Sequence, residues 1–185
     1  GKIMRTGTYC VYKKDKKEYY CTRNKEKIKL VSKNKEKLLE SFLEHTGKDW
    51  RGEVYFSYYK DIDLENLEDI YNINYNVVIC GKEIKPRGMD KKSVTILVSD
   101  DRAMEDAVGS NIYWIIDLKS LICVEHTKPV MEDRSLKKVE VEINKIEKFV
   151  EYKKHIEIFE YKGTERREFL NTKETLDYLF DDFPN

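Results

Sequence analysis

The residues best suited to chemistry are Glu83 and Lys85, with Asp69 upstream. In Glu83-Ile84-Lys85 a carboxylate and an ammonium share one face of a strand. Nucleases with an Asp…Glu-x-Lys core use that pattern: the carboxylates hold Mg²⁺ and the lysine assists the attacking water. The same triplet also arises freely as a solvated strand edge in a chain that is 38% charged. Asp100, Asp101, Glu105 and Asp106 could gather a divalent ion, although their spacing matches no known cation loop.

Other routes to catalysis are thinner. Cys123-x-x-His126 is the only close Cys/His pair; strand alternation would point its two side chains to opposite faces, so no metal centre or other cofactor is expected. His45, His126 and His155 are the only histidines, and no G-x-S-x-G elbow accompanies them. Glycine-rich phosphate cradles are absent.

Charged surfaces suggest binding instead. The basic tip Lys13, Lys14, Lys16 and Lys17, backed by Tyr12, Tyr19 and Tyr20, could touch nucleic acid, or simply discourage strand pairing. An acidic set, Asp61, Asp63, Glu65, Glu68 and Asp69, joined by Asp100, Asp101, Glu105 and Asp106, could face a basic protein partner. The 35 basic and 35 acidic side chains cancel overall, which argues against uniform attraction to nucleic acid or an anionic membrane. Locally they do not cancel: residues 1–60 carry 16 basic against 8 acidic side chains, and the remainder is net acidic.

The elements that must position these residues read as follows. Thr8 to Lys14 and Lys17 to Arg23 form a hairpin around Asp15-Lys16, with Cys10 opposite Cys21 and Tyr12 opposite Tyr19 in a symmetric register. The Cys10/Cys21 pair could form a disulfide or half a zinc site, or pack as two small apolar residues; a reducing cytosol would keep the four cysteines as thiols. Ile28, Leu30 and Ser32 alternate with Lys27, Lys29 and Val31 as a third strand. Leu38, Leu39, Phe42 and Leu43 fall at helical spacing before Gly47, predicting a helix over 34–45. Residues 53–59 read as a strand. A short helix over 63–71 would place Leu64, Leu67, Ile70 and Tyr71 on one face and the acids on the other.

Strands are expected at 75–80, 93–99 and 138–143, with an ambiguous stretch at 146–152 and a hairpin joining 155–161 to 165–170. A helix is expected at 100–107. Val108 to Thr127, the longest apolar passage, reads as a central hairpin with Ile112 to Ile116 as its first strand. Thr127 to Leu136 reads as a loop. Asn171-Thr172-Lys173-Glu174 is a capping-box pattern for a last helix carrying Leu176, Leu179 and Phe180. Together these predict one α+β domain over 1–185, a mainly antiparallel mixed sheet with three or four flanking helices, and a possible C-terminal subdomain from about 137. No apolar run reaches the length needed to span a bilayer, so the expectation is a cytoplasmic protein without membrane contact.

In general character the chain resembles the immunity proteins of bacterial polymorphic toxin systems: small, rich in Lys, Glu, Tyr and Asn, α+β, without a catalytic signature. The resemblance covers the whole length, rests on no motif and carries over no site residue. It implies a non-catalytic, cytoplasmic, protein-binding inhibitor that neutralises a cognate toxin. Neutral net charge departs from the acidic character common among inhibitors of nuclease toxins. The alternatives are a small metal-dependent nuclease using Asp69, Glu83 and Lys85, and a nucleic-acid-binding module.

Overall fold

The computed structural model describes residues 4–99, 115–117, 128–133, 136–156, 162–181 and 183–185. In chain order the strands are β1 Gly7–Tyr12, β2 Glu18–Asn24, β3 Lys27–Ser32, β4 Leu43–Lys48, β5 Val54–Asp63, β6 Leu67–Ile79 and β7 Lys82–Ile84. They continue as β8 Gly88–Met89, β9 Ser93–Ser99, β10 Ile115–Asp117, β11 Lys128–Asp133, β12 Leu136–Glu142, β13 Lys148–His155 and β14 Thr164–Leu170. One α-helix follows, α1 Lys173–Leu179.

The chain divides into two compact units, one of Arg5–Ile73, Lys153–Glu165 and Asp182–Asn185, the other of Gly1–Met4, Asn74–Tyr152 and Arg166–Asp181. In the first, β6, β1, β2, β3, β5 and β4 lie side by side in that order, with every assigned pairing among them antiparallel. Its core gathers Cys10, Tyr19, Cys21, Ile28, Leu30, Phe42, Tyr58 and Ile70. β3 follows its sequence pattern: Ile28, Leu30 and Ser32 are buried while Lys27 and Lys29 are exposed.

The β1–β2 hairpin forms, but Cys10 pairs with Tyr19 and Val11 with Glu18. That is two residues away from the symmetric register, because the turn is asymmetric. Lys16 takes a left-handed φ of 61° and both Lys16 N and Lys17 O bond to Tyr12. A two-residue shift preserves the faces, so Cys10 and Cys21 still share one. Both are free thiols; their mutual hydrogen bond and burial push the Cys10 thiol far above the usual range. Cys80 is disulfide-bonded, against the expectation of four thiols.

In the second unit β9 pairs antiparallel with β12 and β8 and parallel with β10, and β11 lies outside β12. Val94 stands opposite Val141 and Ile96 opposite Val139, all four buried. The expected loop at 127–136 is therefore largely strand β11. Thr172 caps α1 by accepting from Thr175 N at 3.1 Å, and Leu179 and Phe180 bury its apolar face.

The expectation of an α+β fold with three or four flanking helices is overturned. The described residues are mostly antiparallel β-sheet, with α1 as their one α-helix. The helix expected over 34–45 is a 3-10 turn, Lys35–Glu40, stopped by Ser41 at φ 69° and followed directly by β4. The helix expected over 63–71 is the 3-10 turn Leu64–Asn66 between β5 and β6. Leu67, Ile70 and Tyr71 are buried as strand residues; Ile70 and Tyr71 are neighbours, so β6 is covered on both faces and its apolar spacing mimics a helix. The helix expected at 100–107 lies outside the described residues. So does the central hairpin, apart from β10.

Candidate functional site

Glu83 and Asp69, the two carboxylates of the nuclease pattern, are each held by the protein. Glu83 on β7 accepts from Tyr152 Oη at 2.6 Å, Asn76 Nδ2 at 3.0 Å and Arg166 Nη2 at 2.8 Å. Burial works to raise the Glu83 carboxyl, but these three donors outweigh it and hold it below the usual carboxylate range. Burial, then the bond to Glu83, pushes the Tyr152 phenol up. A carboxylate with three donors has little lone-pair capacity left for a cation.

Asp69, at the other end of β6, belongs to the other unit. Its Oδ2 lies 3.0 Å from His155 Nδ1 and 3.7 Å from Lys162 Nζ, while His155 Nε2 meets Glu165 Oε2 at 3.1 Å. The His155 side chain is 7% exposed and its ring meets Tyr71 edge-on. Both ring nitrogens face carboxylates, which leaves neither to take a proton from a nucleophile. Among the described residues no group of three His, Cys, Asp or Glu side chains could hold a metal ion.

Two lysines of the basic tip are engaged within the protein. Lys13 Nζ donates to the Glu65 carbonyl at 2.7 Å and Lys16 pairs with Glu68. Tyr12 and Tyr19 are buried, and Tyr20 packs against Tyr9 and Phe183, so Tyr12 and Tyr19 offer no stacking platform for a base. The described acidic residues are interleaved with lysines. Asp61 stands across from Lys29. Asp63 meets Lys27 at 2.5 Å, a bond that raises the lysine's proton affinity. Asp100, Asp101, Glu105, Asp106, Cys123 and His126 lie outside the described residues. His45 sits on β4, its ring 6.5 Å from that of Tyr55.

The feature missed from sequence is the β4–β5 ribbon. β3 pairs with β5 only from Tyr58 onward, so residues 54–57 of β5 pair with β4 alone. Along one face of β5, Tyr58 and Ile62 are 4% and 7% exposed, yet Phe56 and Val54 on the same face are each 52% exposed. The core face of the sheet thus runs out past the core. At the ribbon's turn Trp50 is 87% exposed, with Arg51 stacked 4.7 Å above its ring. The turn is braced: Asp49 Oδ1 accepts from the backbone N–H groups of Arg51 and Glu53, both at 2.9 Å, and Gly52 supplies the left-handed φ of 80°. Several large apolar side chains displayed together on an ordered element are characteristic of a contact surface.

A family model described as uncharacterised conserved protein UCP033725 matches residues 4–108, more than half of the chain. The chain belongs to that family. The matched span contains β1 to β9, and with them the ribbon, Asp69 and Glu83. No curated protein and no solved structure matches the chain. No helix among the described residues is long and apolar enough to cross a membrane.

Proposed function

We propose that this chain acts by stoichiometric protein binding, as an immunity-type inhibitor that neutralises a cognate toxin, with the β4–β5 ribbon at the centre of the contact. The observation that carries the reading is the exposure of Trp50, Val54 and Phe56 on an element whose turn is braced by Asp49. Tryptophan and other large apolar groups at a preorganised tip give the most binding energy per side chain, because little entropy remains to be lost. Asp61, Glu65 and Glu68 form a charged flank of the same unit whose part is to steer encounter. The nuclease alternative draws no support from Asp69 or Glu83, whose oxygens are bonded within the protein.

The test is capture from lysate of the source cell by the native chain and by a Trp50→Ser/Phe56→Ser double variant, followed by co-expression with the captured protein. The reading predicts one stoichiometric partner, lost with the double variant, whose toxicity the native chain relieves. Equal capture by both chains, or a partner whose activity is untouched, overturns it. Retention of nucleic acid in place of protein would favour the nucleic-acid-binding alternative.

A further inference from the structure

β4 ends the strand order of its unit: it pairs with β5 on one side and with no described strand on the other. Natural edges are usually blunted by proline, a bulge, an inward charge or a row of like surface charges, lysine above all. β4 has no proline, bulge or inward charge, and its two edge charges, Glu44 and Lys48, are opposite in sign; its register with β5 is continuous from Leu43↔Tyr59 to Lys48↔Val54, and none of its residues takes a positive φ. Of its six residues all but Gly47 are exposed. Which backbone groups face outward follows from the turn. Asp49 N donates to Glu53 O at 2.9 Å, so Asp49 points its groups toward β5. Alternation then turns those of Gly47, His45 and Leu43 the same way and leaves Lys48, Thr46 and Glu44 directed outward.

We propose that a second copy of the chain fills this edge, pairing antiparallel through β4 with Thr46 opposite Thr46 at the two-fold axis. In that register the outward groups meet only one another: Glu44 of each copy lies opposite Lys48 of the other, so each of the two outer pairs matches a carboxylate with an ammonium. A shift by two residues in either direction takes both Glu44 and Lys48 off their opposite charges. On the same face Phe56 is the neighbour of Thr46, so pairing joins the two exposed Val54/Phe56 faces across the axis. The other face leaves room, since Gly47 there carries only the ring of Tyr55. The pairing uses backbone groups of β4 and does not depend on the reading of Trp50, Val54 and Phe56 as a surface for a different protein.

The test is the molar mass of the full chain by sedimentation equilibrium over a concentration series. The native chain is expected to dimerise. Thr46→Pro removes an outward N–H without touching the β5 ladder, and is expected to give a monomer with an unchanged circular dichroism spectrum. Glu44→Lys and Lys48→Glu each place like charges opposite one another and are expected to weaken the dimer roughly tenfold, while the double exchange restores it. A native chain that stays monomeric at the highest concentration reached would overturn the proposal. So would a dimer indifferent to Thr46→Pro, or charge exchanges without mutual rescue.

Discussion

The ring of Tyr55 lies over Gly47 so closely that a Cβ placed on Gly47 would sit 2.4 Å from Tyr55 Cζ. The glycine is there for the ring, since its own backbone is ordinary strand. Gly47→Ala should therefore push the ring aside and break its packing against His45. Tyr55 is about half exposed and can swing outward, and alanine suits a strand better than glycine, so the stability change should stay within about 1 kcal/mol. Thermal melting checks the second statement and the ring-proton shifts of His45 the first.

Glu83 links β7 to β13 and β14 through Tyr152 and Arg166, and its carboxyl sits below the usual range. A carboxyl with a depressed native pKa stabilises the fold above its unfolded value of 4.5, and that contribution fades as pH falls through the native value. Glu83→Gln should then cost about 1–2 kcal/mol near neutral pH and progressively less in acid below pH 4.5. Urea midpoints of both chains across that range give the comparison. A difference independent of pH would mean that shape, and not charge, makes the contribution.

Reversing Glu65 and Glu68 to lysine should slow association with the protein partner several-fold at low salt and little at high salt, with the melting temperature nearly unchanged. Both are surface residues, and the exposed Lys16–Glu68 pair that is lost contributes little to stability. Stopped-flow association at two ionic strengths reads the effect. An unchanged rate would remove the pair from the encounter surface.

β3 was legible because Ile28, Leu30 and Ser32 alternate with Lys27, Lys29 and Val31, and the faces of the β1–β2 hairpin were legible although its register was not. Where it misled, the cause is physical. Leu64, Leu67, Ile70 and Tyr71 suit one face of a helix as well as a strand buried on both sides, and only neighbouring strands decide between them. Gly47 looks like a helix stop because the reason for it, the Tyr55 ring, comes from a strand paired across the ribbon. β4 itself, L-E-H-T-G-K, has no apolar alternation to announce it. The ribbon could be read as the strand V-Y-F-S-Y-Y, but its exposure could not, because exposure depends on where β3 ends. His155 and Asp69 are 86 residues apart and only strand pairing brings them together.

Hydrogen exchange of the chain with and without its captured partner locates the contact. Binding through the ribbon slows exchange of the amides from Trp50 to Ser57 and leaves the Lys13–Lys17 tip unchanged. Protection at that tip, with the ribbon exchanging as in the free chain, would contradict it.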